Sequence, residues 1–231
     1  VAQAGRIGYQ ALLCAASIRA FHSAKHVPIF ICIPKHSDRW SSDPSINDIE
    51  LIKAFEKYDC KIAIFDNADF GSRYPHSNKF YAILALPEDQ PFLFLDSDTV
   101  LVEPFTSNQF QLDRPALKLG GETWPVQNSK TRSVGEVWRL LYAFFGLDAE
   151  PYRDVNLTDA QHQCYPYYNA GILYYSRARE FGQALLSMAR RVWFERPDAL
   201  EDQPLKPWLD QIVLPIALAQ LGIPRSEVPD P

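Results

Sequence analysis

The segment Phe92-Leu-Phe-Leu-Asp96-Ser-Asp98 constrains this chain more than any other stretch. Four consecutive apolar residues lead straight into two carboxylates. A continuous apolar run of that kind reads as a strand buried on both faces. Residues i and i+2 of a strand point the same way, so Asp96 and Asp98 are expected to face one spot. Like charges at the end of a buried strand repel each other and resist desolvation. A hard divalent cation with oxygen ligands, Mn²⁺ or Mg²⁺, removes that cost. In an open parallel sheet, ligands bind beyond the carboxyl ends of the strands, where this pair lies. A lone Asp-x-Asp on a surface turn more often only bonds the backbone. The apolar run before it and the extended Val100-Leu101-Val102 after it argue for the site.

The other elements supply the sheet that such a strand needs. Ile7, Ala11, Cys14, Ile18 and Phe21 recur at helical spacing, which predicts a helix from about Ala4 to Phe21. Val27 to Ile33 is a short apolar strand stopped by Pro34. Ile46 to Tyr58 is helical, Lys61 to Phe65 a strand, and Phe80 to Leu86 a helix ended near Pro87. Alternation of helix and strand calls for a mixed, mostly parallel α/β sheet with right-handed crossovers. Further on, Ala116 to Leu119 reads as a strand followed by a Gly120-Gly121 turn. Val134 to Phe145 reads as a helix capped by Gly146, and Asp148 to Gln163 as a polar loop. Tyr167 to Tyr175 is a strand interrupted at Asn169-Ala-Gly171. Helices follow over Ala178 to Phe194 and Trp208 to Leu221, the last with a kink or break at Pro215. The 231 residues suit one α/β domain, and the 18 prolines are too dispersed to mark a linker. The chain starts inside what reads as a helix and not at Met, so a first strand, and the true C-terminus, are expected to lie outside it.

A net charge of −5 and a pI near 5.5 disfavour nucleic acid or an anionic membrane as the main partner. No apolar run reaches the length of a membrane span. The cysteines, Cys14, Cys32, Cys60 and Cys164, form no Cys-x-x-Cys, and three sit in apolar stretches as small buried hydrophobes. Nothing in that usage requires an oxidising compartment, which points to a cytoplasmic chain.

Three further groups can carry chemistry. Ser77-Asn78-Lys79 opens the helix that leads into the carboxylate strand. A lysine there is poorly placed for the helix dipole and well placed to meet a phosphate, unless it is simply a solvated surface lysine. Asn169-Ala-Gly171 sets an amide and a glycine at the start of an apolar strand, which permits close ligand approach or forms a β-bulge. Asp210-Gln211 opens an apolar helix, where a carboxylate also favours the dipole. His76 and His162 are candidates for a third metal ligand, while His22, His26 and His36 are expected to face solvent. The many aromatic residues read as core packing. Trp124, in the loop from Gly120 to Pro125, is expected to lie over the site instead.

Taken in order, Lys79, Leu95-Asp96-Ser-Asp98-Thr, Tyr168-Asn169-Ala-Gly171 and Asp210-Gln211 resemble the motifs of GT-A fold nucleotide-sugar glycosyltransferases. The resemblance spans roughly residues 76 to 221 and is greatest to family 8, the glycogenin and lipopolysaccharide galactosyltransferase group. It implies transfer of a hexose from a UDP-sugar to an acceptor hydroxyl, with retention at the anomeric carbon. By position it implies that Asp96 and Asp98 hold Mn²⁺ and that Lys79 and Asp96 contact the nucleotide. It likewise implies that Asn169 and Gly171 shape the sugar pocket and that Asp210 and Gln211 sit by the reacting carbon. The family's usual third ligand, a His near a C-terminal Lys-Pro-Trp, has no counterpart here, because Lys206-Pro-Trp208 precedes Asp210.

A retained configuration leaves two routes open, with Asp210 as nucleophile or with front-face attack by the acceptor. Two other functions fit parts of the pattern. Asp96-Ser-Asp98-Thr-Val also suits a haloacid dehalogenase-type phosphatase, in which the first Asp is the nucleophile. A non-catalytic nucleotide-sugar-binding protein on the transferase fold is the other.

Overall fold

The computed structural model describes residues 1–21, 26–88, 90–104, 114–121, 124–126, 132–154 and 165–228. Helix α1 (Arg6–Arg19) is followed by strand β1 (Ile29–Pro34), helix α2 (Ile49–Lys57) and strand β2 (Cys60–Phe65). Next come helix α3 (Asn78–Leu84) and strand β3 (Phe92–Leu95). Strand β4 (Ala116–Leu119), helix α4 (Val134–Phe144) and strand β5 (Tyr168–Tyr175) lead to the long helices α5 (Ala178–Glu195) and α6 (Leu209–Gln220). Each element coincides with a predicted one to within a few residues.

Local chemistry explains several of the boundaries. The Asp48 side chain caps α2 by accepting from the Glu50 and Leu51 amides, and Ser133 caps α4 through the Glu136 amide. Gly146 ends α4 at φ 71°, as its glycine suggested. Pro215 does not break α6. That helix is buried nearly all round, so packing outweighs the lost backbone bond.

Strands β1 and β2 pair in parallel, Ile29 with Cys60 through Pro34 with Phe65. The other three form an antiparallel sheet in the order β3-β5-β4. The mixed α/β architecture is therefore as expected, but among the described residues the antiparallel share is the larger. The reason is β5, which returns between β3 and β4 and takes the pairing that a parallel neighbour would have had. The first residues do not begin within a helix either. Ala2 runs beside β1, fully buried, with its N–H on the Cys32 carbonyl.

Two apolar clusters hold these layers. The smaller joins α1, α2, β1 and β2 around Ile31, Ile33, Leu51 and the fully buried Phe55. The larger joins α3 to α6 with β3, β4 and β5. Trp124 belongs to the larger one. It is 0% exposed, meets Trp138 edge-on at 5.0 Å, and donates its indole N–H to the Pro204 carbonyl. This corrects the expectation that Trp124 covers the site: a large ring with one polar atom is better placed in a core that supplies one acceptor. Tyr165, Tyr167, Tyr168, Tyr174 and Tyr175 are core residues as expected. Cys14, Cys32 and Cys60 are free and buried. Among the described residues no helix is long and apolar enough to cross a membrane. Cys164, His22, His162 and most of the polar loop before Tyr165 lie outside the described residues.

The loop after β2 is set by one glycine. Gly71 has φ 51°, and a Cβ there would lie 2.3 Å from the Arg39 carbonyl oxygen. Gly71→Ala is expected to cost at least about 2 kcal/mol of unfolding free energy in a urea titration. Gly135→Ala is the opposite case. Its Cβ would meet nothing within 4 Å on a helix, so a gain of about 0.5–1 kcal/mol is expected. Equal stabilities for the two variants would contradict this packing.

Candidate active site

The centre of the site is an ammonium with every donor engaged. Lys79 Nζ lies 2.8 Å from Asp210 Oδ2 and 3.1 Å from Asp96 Oδ2, and donates at 3.3 Å to the Ala170 carbonyl. A lysine has three N–H donors, so this set saturates it. Three separate parts of the chain meet there: the end of β3, the start of β5 and the first turn of α6. The Lys79 side chain is 12% exposed, Asp210 3% and Asp96 35%. Burial alone pushes the Lys79 ammonium down, but Asp210 and then Asp96 more than offset it and hold the group above its usual value.

The sequence placed Lys79 at a helix start, where it could meet a phosphate. It is the second residue of α3, and its ammonium is turned instead onto the two carboxylates. Buried Asn67 fixes this turn. Its Nδ2 donates to Ser77 Oγ at 2.8 Å and to Asn78 Oδ1 at 2.7 Å, while its Oδ1 accepts from the Phe70 and Gly71 amides.

The strand β3 ends at Leu95, and Asp96 to Thr99 forms a turn closed by the Thr99 N–H on the Asp96 carbonyl at 3.0 Å. Strand alternation therefore does not govern Asp96 and Asp98. The turn has the backbone bond that an isolated Asp-x-Asp favours, and Val100 and Val102 beyond it are exposed and not in a strand. Asp98 is exposed. Both carboxylates lie near α1: burial pushes the Cys14 thiol up, and the charges of Asp98 and Asp96 add to that. Leu101 N–H reaches Ser17 Oγ at 3.0 Å on the same helix.

The Asn169-Ala-Gly171 segment is a bulge. Leu117 pairs with Leu173 but Leu119 with Tyr168, so β5 carries the extra residues. Asn169 Oδ1 accepts from the Gly171 N–H at 2.7 Å, and the Asp96 N–H donates to the Gly171 carbonyl at 2.8 Å. A Cβ on Gly171 would lie 2.9 Å from Asn169 Oδ1 and 3.2 Å from Asp96 Oδ2. Glycine is required there because the carboxylate and the amide close over it. Both meanings of the motif hold together: it is a bulge, and the bulge seats Asp96.

Asp210 is the second residue of α6 and 2% exposed, and Gln211 beside it is half-buried. The Asp210 Oδ1 is 2.8 Å from Tyr74 Oη, a contact that nothing in the sequence announced. His76 is exposed and packs on the Tyr74 ring, 5.6 Å between centroids. Among the described residues no three His, Cys, Asp or Glu side chains converge closely enough to hold a metal unaided. His26 and His36 are exposed.

A cleft of about 530 Å³ opens at the carboxyl edge of β1 and β2, where Gln3, Trp40, Ser41, Asp43, Ser72 and Pro75 line it. Ser72 accepts from the Ser41 N–H at 2.8 Å. Trp40 is 9% exposed, and its buried indole N–H has no partner among the described residues. Pro75 joins this cleft to Tyr74, and so to Asp210. Nothing in the order of residues singled out Trp40 beyond its position after a strand.

The arrangement leaves accessible carboxylates, Asp96 and Asp98, beside a saturated ammonium. No curated protein and no solved structure matches the chain. A family model does match, that of the Rhodobacterales glycosyltransferase domain, over residues 1–222. The carboxylate turn, the bulge and the Lys79 bridge all fall within that span, and the chain belongs to this glycosyltransferase family.

Proposed function

We propose that this glycosyltransferase moves a hexose from a UDP-sugar to an acceptor hydroxyl, with a divalent cation and with retention. The observation that carries the reading is the charge imbalance around Lys79. Asp96 and Asp210 outnumber that ammonium by one, and Asp98, exposed on the turn two residues after Asp96, adds a second negative charge. One divalent cation balances them. Asp96 and Asp98 are the accessible pair and would hold Mn²⁺ or Mg²⁺, with the remaining ligands drawn from a diphosphate and water. Such a cation, when bound, neutralises the charge that builds on a departing diphosphate. The cleft at the edge of β1 and β2 offers an aromatic wall and hydroxyls to the nucleoside.

In the transfer, the acceptor oxygen forms a bond to the anomeric carbon as the bond from that carbon to the diphosphate oxygen breaks. The electron pair leaves with the UDP, and the acceptor proton passes to a phosphate oxygen or to solvent. Lys79 can stabilise that leaving group only by exchanging one of its partners. Asp96, the more exposed of the two carboxylates, is the one that can be released. Asp210 is poorly suited to act as a nucleophile, because it is buried and both its oxygens are engaged. Its position favours front-face attack by the acceptor, with Asp210 and Gln211 orienting the sugar. Asn169, exposed above the bulge, and Gly171 would shape the sugar pocket. The phosphatase reading loses its support to the family match. A nucleotide-sugar-binding protein without turnover differs from this account in one measurable respect, the absence of UDP release.

Calorimetric titration of UDP with and without Mn²⁺ tests the metal site. Asp98→Asn is expected to abolish the Mn²⁺-dependent part of the affinity, a loss of at least about tenfold; equal affinity in both proteins would remove Asp98 from the site. Trp40→Ala removes the aromatic wall of the cleft and is expected to weaken UDP by about 1 kcal/mol, roughly fivefold. Unchanged UDP affinity would place the nucleoside elsewhere. Lys79→Met leaves a buried carboxylate without its counter-charge. It is expected to lower unfolding free energy by about 3–5 kcal/mol, and Asp210→Asn in the same chain to restore much of it. A Lys79→Met protein as stable as the wild type would contradict the buried bridge.

A further inference from the structure

Tyr74 holds the Asp210 half of the Lys79 bridge. It is 1% exposed and packs on Phe70 and Trp193 at 6.2 and 5.6 Å between ring centroids. Its Oη accepts the Asp210 backbone N–H at 2.9 Å. The same Oη lies 2.8 Å from Asp210 Oδ1 and 2.9 Å from the Pro207 carbonyl, and its single proton serves one of these at a time. Tyr74 therefore grips Asp210 by both backbone and side chain. It also stands five residues before Lys79, in the segment that runs through Ser77 and Asn78. Ser77 Oγ donates back to the Tyr74 carbonyl at 2.6 Å, which makes the segment rigid. Burial first, and the Asp210 charge after it, push the phenol well above its ordinary range, so it remains a donor.

We propose that Tyr74 is a positioning residue for sugar transfer, fixing the Asp210 carboxylate so that Asp210 and Lys79 present one geometry to the donor sugar. The role rests on the transferase reading above. Asp210 Oδ2 is held by Lys79 and Oδ1 by Tyr74. With the phenol gone, the carboxylate is free to turn about its last bond and the ammonium follows it. UDP itself is bound through the exposed carboxylates and the cleft, which Tyr74 does not line. Removing the hydroxyl should therefore slow turnover and leave UDP binding intact.

The test uses the full chain with Mn²⁺, UDP as the binding probe, and a panel of UDP-glucose, UDP-galactose and UDP-N-acetylglucosamine for turnover, read as UDP release. With the best of these donors, Tyr74→Phe is expected to lower kcat by about 10- to 100-fold while the UDP Kd stays within about threefold. Added to Asp210→Asn, it is expected to lower kcat no further, because its effect passes through that carboxylate. A full second loss in the double variant, or wild-type kcat in Tyr74→Phe, overturns the role and leaves the transferase reading standing. Absence of UDP release from every donor by the wild type overturns the transferase reading, and the role with it. If Tyr74→Phe does not fold, Tyr74→His carries the test. Its shorter ring cannot reach Asp210, so the same kcat loss at unchanged UDP affinity is expected, and wild-type kcat overturns the proposal.

Discussion

One buried ammonium organises this molecule. Lys79 Nζ touches Asp96, Asp210 and the Ala170 carbonyl, and so fastens the end of β3, the bulge of β5 and the first turn of α6 to α3. Taking a charge out of water is costly, and the cost is offset only when counter-charges and hydrogen bonds fill its whole shell. Here they do. The surrounding features follow from that requirement. Gly171 lacks a side chain because the Asp96 carboxylate occupies the space, and Asn169 folds back onto the Gly171 amide to close the bulge. Asn67 and Ser77 stiffen the approach to Lys79, and Tyr74 holds the other end of Asp210.

The same arrangement sets the electrostatics that a transferase needs. An ammonium shared by two carboxylates, with a third exposed nearby, leaves a region that attracts cations and not anions. On the proposed reading a cation would offset this charge and tie donor binding to metal binding, with the buried Asp210 orienting the sugar and the accessible Asp96 and Asp98 holding the cation.

Much of this was legible in the sequence, and the reasons are local. The elements were readable because their apolar periods are strong and some ends carry a clear signal, as Gly146 does for α4; the Asp48 cap of α2 went unread, so that helix starts later than Ile46. The four site segments were readable because each pairs a polar residue with an apolar strand or helix. The errors came from pairing and from turns. Nothing in β5 announced that it would lie between β3 and β4. The strand ends at Leu95 as read, but nothing in Asp96-Ser-Asp98 announced that the chain turns there, so that strand alternation does not set the two carboxylates. Trp124 was misplaced because a Gly-rich loop suggested exposure, whereas an acceptor at Pro204 drew the ring inside. Tyr74 and Asn67 left no trace, since their roles depend on contacts made across long stretches of chain.

The most direct measurement is a crystal structure with Mn²⁺ and UDP, located by the anomalous signal of manganese. The account predicts one manganese peak against the Asp96 and Asp98 carboxylates, in contact with the diphosphate, with the uridine in the cleft beside Trp40. A peak elsewhere, or UDP bound with no manganese at that turn, would contradict it.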